Sequence, residues 1–326
     1  MSLRAFAALI LSSASSVLAE DLLLSFPVDC TLGQDCYIQQ YMDRDPGDGY
    51  SDYQCRGLSY DGHKGTDFAL PTRADMQAGV DVFAAAPGRV RGFRDGMPDT
   101  GWTRETVAEV EGRECGNGVV LFHPGGWETQ YCHLMQGSIT VRNGQEVKAG
   151  DVLGQIGQSG RAEFPHLHLS VRKDGIPVDP FDPDGTLACD SPGDSTLWAD
   201  TPPYQPGGLV DVGLTDIIPE YADVKAGIAG ADTLPATAPA LVVYGFSFGT
   251  QKDDVMRLSL TGPEGEVISR DTKLERNHAQ AFRAVGKRLR GRATWPEGTY
   301  AGTATLIRGD TVISILRTEI TIAGSD

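Results

Sequence analysis

The chain has 326 residues, of which 40% are hydrophobic and 22% are charged, a globular composition that excludes a largely disordered polypeptide. This length accommodates two domains of ordinary size. The 28 basic and 44 acidic residues give a formal net charge of −16, which argues against nucleic-acid binding because a phosphate backbone requires a basic surface.

Residues 1–19 predict a secretory signal peptide. Arg4 precedes the apolar run 5–11, and a stretch of small residues ends at Ala19, near which we expect cleavage. The apolar run is too short for a permanent anchor, and no later segment predicts a stable membrane span. A buried N-terminal helix is the alternative. We therefore expect an exported protein that is periplasmic or extracellular after cleavage.

The six cysteines, an even number, indicate disulfide bonds in an exported chain. We expect the pairs Cys30–Cys36, Cys115–Cys132 and Cys55–Cys189. The first pair closes a short loop, a hairpin would bring the second together, and the third is what remains, although the sequence leaves other pairings open. A cysteine-rich zinc site is the alternative, but the sequence has no Cys-x-x-Cys spacing.

Residues 20–60 form a loop-rich segment with many Asp, Gly and Tyr residues, and residues 61–185 form the first predicted domain. In that domain, short apolar runs with β-branched residues alternate with glycine turns, which predicts strands. The predicted strands are 80–86, 88–93, 118–122, 129–133, 152–156 and 166–171. The segment HPGGWET between two of them predicts a hairpin turn.

Residues 186–208 are dense in Pro, Gly, Asp and Ser, which predicts a linker or a long surface loop. Residues 209–326 again show apolar alternation, with hairpin turns at 263–265 and 308–310. The stretch 278–292 leaves open a helix or a further strand. Regularly spaced short strands predict a C-terminal β-sandwich, of which the immunoglobulin fold is one form. The chain is therefore predicted to be dominated by β-structure.

Three short stretches of the first predicted domain contain histidine. DGHKGTDFALP contains His63 and Asp67, TQYCHL contains His133, and FPHLHLSV contains His166 and His168. The last two would point to one face of a strand, because they are two residues apart. A hydrolytic zinc site needs three protein ligands and an open position for water, and imidazole and carboxylate suit it.

His63, Asp67 and one further histidine would fill such a site. The two histidines left over would then serve as the base and the oxyanion stabiliser. Each stretch alone has a simpler explanation, such as a wet strand face for His-x-His or a strand-end position for His133. Their occurrence together, in one strand-rich and exported domain, favours a site.

These stretches resemble the lysostaphin-type, or LytM-type, zinc endopeptidases. The motifs His-x-Gly-x-Asp, Tyr-x-His-Leu, Gly-x-x-Gly and Pro-His-Leu-His occur in the family's order, over residues 63–181. The resemblance implies a small antiparallel β-sheet domain of the LytM type, similar to the duplicated hybrid motif. It also implies a groove in which peptide bonds of peptidoglycan are hydrolysed with Zn²⁺ as the cofactor.

Carried over residue by residue, the resemblance assigns His63, Asp67 and His168 as the zinc ligands. It assigns His133 and His166 as the catalytic histidines that do not bind the metal. All five positions of the family's motifs are filled, which favours an active zinc metalloendopeptidase over the family's non-catalytic members.

The segment between Phe93 and Cys115 is longer than the family's short turn, and we expect it to shape the wall of the groove. Tyr60 or Tyr131 would add a hydrogen bond to the oxyanion, although packing is the simpler expectation for Tyr131. Two other functions of the whole chain remain as alternatives to peptidoglycan hydrolysis. One is a non-catalytic envelope module that activates another cell-wall hydrolase, and the other is a zinc peptidase that acts on glycine-rich proteins outside the wall. The C-terminal residues would bind the wall or a partner, or cover one edge of the catalytic sheet.

Overall fold

The computed structural model describes residues 22–103, 107–185 and 195–323. The predicted signal peptide, Cys189 and part of the predicted linker lie outside these residues. The elements of the first part of the chain are β1 (Tyr37–Gln40), β2 (Thr66–Ala69), α1 (Arg73–Ala78), β3 (Asp81–Phe83), β4 (Gly88–Arg94), α2 (Val107–Val110), β5 (Asn117–Phe122), a 3-10 helix (Pro124–Gly126), β6 (Trp127–Leu134), β7 (Glu146–Val147), β8 (Val152–Gln155), β9 (His166–Lys173) and β10 (Ile176–Val178).

The first part is organised around one large antiparallel sheet. Its strands lie in the order β1-β2-β9-β6-β5-β4-β7, β10 pairs with the end of β9, and β3 and β8 form a separate two-stranded sheet. Strand β6 shows the alternation that builds the sheet, since Trp127, Thr129 and Tyr131 are buried and the residues between them are half-buried. The predicted antiparallel β class is confirmed.

The two histidines of β9 lie on the face of the sheet that is opposite to the hydrophobic core. Leu167 and Leu169 of β9 are fully buried within the main hydrophobic cluster. Side chains alternate along a strand, so His166 and His168 point away from that cluster, to the same side as each other. Because β9 lies between β2 and β6, residues of three neighbouring strands can meet there.

Residues on both sides of the predicted first domain also belong to this core. Ile38 and Tyr41, within or just after β1, are fully buried, and so is Leu24. Leu197 and Trp198, from the predicted linker, lie in the same cluster.

Two of the three predicted disulfides are confirmed, Cys30–Cys36 and Cys115–Cys132. The second joins β6 to the residues just before β5, so it closes the base of the hairpin that carries His133. The third predicted pair has Cys189 as a member, which lies outside the described residues.

The second part of the chain contains two further sheets. Its elements are β11 (Gly208–Thr215), α3 (Tyr221–Ala226), β12 (Thr233–Pro235), β13 (Ala240–Thr250), β14 (Val255–Gly262), β15 (Gly265–Lys273), β16 (His278–Arg288), β17 (Gly298–Arg308) and β18 (Thr311–Ala323). The order is β11-β13-β16 in one sheet and β12-β18-β17-β14-β15 in the other, and residues of both sheets share one buried cluster.

Sequence and structure agree on the local features of this part. Hairpin turns join β14 to β15 and β17 to β18, as predicted, and the stretch that left open a helix or a strand forms β16. The immunoglobulin-like sandwich stays a prediction, as do the domain boundaries.

The second part packs against the edge strand β1. The rings of Tyr37 and Phe248 have centroids 4.4 Å apart, and both residues lie in a small buried cluster with Ala69. Gln39 donates a hydrogen bond through Nε2 to the carbonyl oxygen of Ala279, over 2.9 Å. These contacts cover the β1 edge of the first sheet, which shields a strand edge from solvent.

Candidate metal centre and active site

The pairing of β2 with β9 brings the first and last histidine stretches together. Asp67 of β2 lies directly opposite His168 of β9, and Ala69 lies opposite His166. His63 precedes β2 by three residues and reaches the same point from the strand's beginning. His133 lies in β6, on the other side of β9. The fold therefore gathers all five predicted site residues on one face of the sheet.

His63, Asp67 and His168 form a cluster that could hold a metal ion. His63 Nε2 lies 3.2 Å from Asp67 Oδ1 and 3.1 Å from His168 Nδ1. His168 Nδ1 lies 2.8 Å from Asp67 Oδ1. Three potential ligand atoms thus converge on one small volume, one from each residue.

The outer nitrogens of the two histidines in this cluster are occupied by other partners. His63 Nδ1 lies 2.7 Å from the carbonyl oxygen of Tyr41, so this nitrogen carries the proton that it donates. His168 Nε2 lies 2.9 Å from Ser170 Oγ. When Ser170 accepts that bond, both inward nitrogens present lone pairs beside a carboxylate. Three acceptors this close repel one another unless a cation lies among them, which fits a metal site.

The charges of these groups follow from burial and proximity. Burial raises the pKa of Asp67, but in the absence of a metal the attraction of His63 and His166 in their protonated forms, and hydrogen bonds from protonated His168 and His63, outweigh burial and hold this pKa well below its usual range. Burial lowers the pKa of His63, yet the attraction and hydrogen bond of Asp67 overcome this, so that its pKa is raised. Asp67 is therefore ionised in this environment, and a metal ion in the cluster would compete with protons for His63.

His166 and His133 lie beside the cluster without joining it. His166 Nε2 is 3.7 Å from Asp67 Oδ1, and the rings of His133 and His166 have centroids 4.6 Å apart. His133 Nδ1 lies 2.8 Å from the carbonyl oxygen of Ser159, and His166 Nδ1 lies 2.8 Å from that of Phe164. Both Nδ1 atoms therefore carry the proton, and both Nε2 atoms keep a lone pair.

The pKa values of His166 and His133 are both lowered, which favours the neutral form of each imidazole. Burial lowers the pKa of His166. The pKa of His133 is lowered strongly, first by burial and then by the nearby imidazoles of His166 and His168. A neutral, oriented imidazole with a free Nε2 lone pair can accept a proton, and can donate it again afterwards.

His133 also has an unusual backbone. Its φ is 64°, in the left-handed region that few residues other than glycine adopt, and its amide donates to the carbonyl oxygen of Cys115 over 2.8 Å. The Cys115–Cys132 disulfide lies next to this position. Such strain is found where the surrounding structure holds a side chain in a functional direction.

The two tyrosines considered for the oxyanion, and a further histidine of the first sheet, have defined contacts. The Tyr131 hydroxyl accepts from the amide of Ala85 over 2.8 Å inside the core, so the packing expectation for Tyr131 holds. His123 is buried, with Nδ1 2.7 Å from the carbonyl oxygen of Pro87. Tyr60, by contrast, lies at the cluster, since its ring centroid is 4.5 Å from that of His63.

The sequence reasoning missed Ser170 as a partner of His168. A signal was present, because Ser170 follows His168 by two residues and must share its strand face. The contacts to the carbonyl oxygens of Tyr41, Ser159 and Phe164 could not be predicted from the sequence, because every residue has a backbone carbonyl group.

Among the described residues, no helix has the length and apolar character needed to cross a membrane.

The family model that matches the chain is peptidase family M23, over residues 61–180. The DD-carboxypeptidase/endopeptidase Mpg of Neisseria meningitidis is 32% identical over 118 residues, which are 36% of this chain and 22% of that protein. The peptidoglycan DD-endopeptidase ShyA of Vibrio cholerae is 33% identical over 116 residues, 36% of this chain and 21% of that protein.

The chain thus spans about a fifth of the length of these curated relatives. Among solved structures, a zinc-containing peptidase from Vibrio cholerae is 26% identical, with a TM-score of 0.33, over 49% of this chain and 39% of that one. The family match over residues 61–180 covers the histidine stretches, the paired strands that carry them and the cluster around Asp67. Residues 61–180 therefore match peptidase family M23, and the predicted resemblance to the lysostaphin-type, or LytM-type, peptidases is confirmed.

Proposed function

We propose that this chain is a zinc metalloendopeptidase that hydrolyses peptide bonds in peptidoglycan. The observation that supports this most directly is the convergence of His63 Nε2, Asp67 Oδ1 and His168 Nδ1 beside two further histidines with free Nε2 atoms. A ligand set and a proton-transfer pair are both needed for hydrolysis at a metal, and the cluster offers the residue types for each.

The donor set suits zinc in type and in spacing. Two imidazoles and one carboxylate are ligands that zinc accepts in catalytic sites. Ligand atoms on a tetrahedral zinc ion lie about 3.3 Å apart, which follows from metal–ligand distances of about 2.0–2.1 Å. The separations of 2.8 Å to 3.2 Å in this cluster are close to that value.

A zinc ion held by these residues would polarise the scissile carbonyl group and lower the pKa of a water molecule toward neutrality. His166, His133 or both would accept the proton from that water at Nε2, because their Nδ1 atoms are held by backbone carbonyls. The same imidazoles would then donate the proton to the leaving amine and hydrogen-bond to the oxyanion. Tyr60, next to His63, is placed to add a further hydrogen bond.

The substrate assignment is supported by the relatives. Both are named for DD-carboxypeptidase or DD-endopeptidase activity, and ShyA is named for peptidoglycan. We infer that the substrate is a peptide cross-link or a stem peptide of peptidoglycan. The proposed location is the periplasm or the cell exterior, which agrees with the predicted signal peptide of residues 1–19.

The test is digestion of purified peptidoglycan, followed by mass spectrometry of the muropeptides. We expect the wild-type chain to release products of peptide-bond cleavage. Alanine at any of the five positions should lower the rate by about 10²-fold or more, because each removes a ligand or a proton carrier. The five variants are His63→Ala, Asp67→Ala, His168→Ala, His133→Ala and His166→Ala.

His278→Ala is the matched control. His278 begins β16 in the second part of the chain, away from the cluster, so this variant should digest peptidoglycan like the wild type. Zinc binding without release of any peptide product would contradict the proposal and favour a non-catalytic envelope module. Cleavage of glycine-rich proteins with no action on peptidoglycan would favour the other alternative.

A further inference from the structure

The loop that leads into β9 carries a conspicuous cation at the rim of the site. This loop presents the carbonyl oxygen of Ser159 to His133 and that of Phe164 to His166, each over 2.8 Å. Arg161 lies between these two positions, and its amide donates to the carbonyl oxygen of Glu114 over 2.8 Å. The backbone of Arg161 is therefore fixed by the same loop that orients both histidines.

The side chain of Arg161 is supported by an aromatic ring. Its guanidinium carbon lies 5.1 Å from the ring centroid of Trp102, and the amide of Trp102 donates to the carbonyl oxygen of Ala162 over 2.9 Å. Arg161 is exposed, and within the described residues its guanidinium makes no direct salt bridge, although backbone hydrogen bonds and, more weakly, the charge of Arg161 lower the pKa of Glu114. Stacking on an aromatic ring orders a guanidinium while leaving its N–H groups free to donate.

Trp102 belongs to the long segment between β4 and β5. The carbonyl oxygen of Asp99 accepts from Arg73, and the Asp99 carboxylate accepts from the amides of Gln136 and Gln158. These bonds fix the segment against the loop that carries Arg161. The longer segment therefore supplies the aromatic support for this cation.

The position of Arg161 in this loop places it at the edge of the site. Ser159, two residues before it, contacts His133, and Phe164, three residues after it, contacts His166. The ring centroids of Phe164 and His166 also lie 4.5 Å apart. Arg161 is therefore held between the two segments that contact the proposed catalytic histidines.

We propose that Arg161 is a binding site for a carboxylate of the peptide substrate, close to the bond that is cleaved. This inference rests on the proposed peptidase function and specifies its substrate class as peptides with a free carboxylate near the scissile bond. A guanidinium offers paired N–H donors that match a carboxylate. The chain carries a net charge of −16, so an anionic peptide needs a local cation to offset the general repulsion.

The test compares two cross-linked peptidoglycan peptides that differ in one respect. One has free carboxylates, and in the other the carboxylates next to the scissile bond are carboxamides. The wild type should cleave the first with the higher kcat/KM. Arg161→Gln should lower kcat/KM for the carboxylate peptide by about 10- to 100-fold, mainly through KM, because a bound peptide excludes water from the ion pair. For the carboxamide peptide, Arg161→Gln should lower kcat/KM by less than about threefold.

Three further measurements separate binding from damage to the site. Arg161→Lys should recover part of the loss, since it keeps the charge without the paired donors. Zinc content should be unchanged in every Arg161 variant. Arg142→Ala is the matched control, because Arg142 is an exposed arginine near β7, at the far edge of the same sheet, and should not alter either rate.

Equal losses on the two peptides, or a wild type without preference, would overturn the assignment of Arg161. Failure of the proposed function gives a different result, in which the wild type cleaves neither peptide. In that case, calorimetric affinities of the same two peptides still decide the role of Arg161. Tighter binding of the carboxylate form, lost in Arg161→Gln, supports the inference, and equal affinities contradict it.

Discussion

Each histidine around Asp67 uses one ring nitrogen to contact a group outside the cluster. Three of the contacts go to backbone carbonyls, of Tyr41, Ser159 and Phe164, and the fourth goes to Ser170. The outer contact selects which nitrogen carries the proton, and so which nitrogen faces the site with a lone pair. The direction of each ring is therefore set before any metal or substrate binds.

Ser170 is the one side chain among these outer partners, so its role can be tested by substitution. We expect Ser170→Ala to weaken zinc binding by about tenfold, because the outer partners of a ligand histidine contribute about 10- to 100-fold to metal affinity. Ser170→Thr retains the hydroxyl and should bind zinc almost as tightly as the wild type. Competition with a chromophoric chelator measures the affinities. Equal affinity in the alanine variant would show that Ser170 does not orient His168.

The five candidate site residues could be named from the sequence because their side chains carry the chemistry and their order along the chain matches a family. The residues by themselves left the third ligand open among three histidines, and the family resemblance assigned it to His168. The pairing of β2 with β9 places His168 directly opposite Asp67. His166 lies two residues away on β9, opposite Ala69. The outer carbonyl partners could not be predicted, since they depend on where the backbone runs.

At the scale of elements, the site depends on the close approach of β2 to β9. Gly65 lies just before β2, and a Cβ atom there would lie 2.6 Å from His168 Nε2 and 2.6 Å from the carbonyl oxygen of Leu169. The glycine of the His-x-Gly-x-Asp motif is thus required by space. A larger residue would displace the His168 ring or the strand itself.

We therefore expect Gly65→Ala to weaken zinc binding by at least about tenfold and to lower the free energy of unfolding by about 1–3 kcal/mol, the usual cost of overpacking. Zinc titration and urea unfolding measure the two effects. Gly92→Ala is the matched control, because a Cβ atom at Gly92 of β4 meets no atom within 4 Å. Wild-type zinc affinity in Gly65→Ala would mean that the strands adjust without moving His168.

The strands of the first sheet were predictable from alternation, but their partners were not. The loop-rich segment 20–60 showed no clear strand pattern, yet it contributes β1 to the sheet and Tyr41 to the environment of His63. The burial of Leu197 and Trp198 could not be predicted either, because the Pro- and Gly-rich sequence around them is typical of a linker. Short segments of this kind are ordered by long-range contacts that local patterns do not encode.

At the scale of the whole molecule, the second part of the chain supports the first. Phe248 of β13 packs on Tyr37 of β1, in a cluster that also contacts Phe164. Phe164 in turn holds His166 through its carbonyl oxygen. A continuous set of contacts therefore connects the C-terminal sheets to the active-site loop, in addition to covering the edge of the catalytic sheet.

Phe248→Ala should therefore destabilise the first part of the chain, although Phe248 lies in the second. We expect a loss of about 3–5 kcal/mol in the free energy of unfolding, typical of a buried phenylalanine. Thermal unfolding followed by near-UV circular dichroism measures it. Phe93→Ala, at a side chain that is 44% exposed, is the matched control and should change the Tm little. An unchanged Tm in Phe248→Ala would show that the two parts are stable independently.

In the proposed mechanism, three residues hold zinc while two neighbouring histidines act on the substrate. Native mass spectrometry of the zinc-loaded full chain and its five site variants tests this most directly. We predict one zinc ion per chain in the wild type, in His133→Ala and in His166→Ala. We predict none in His63→Ala, Asp67→Ala or His168→Ala. Zinc retained in Asp67→Ala, or lost in His166→Ala, would contradict the division of roles.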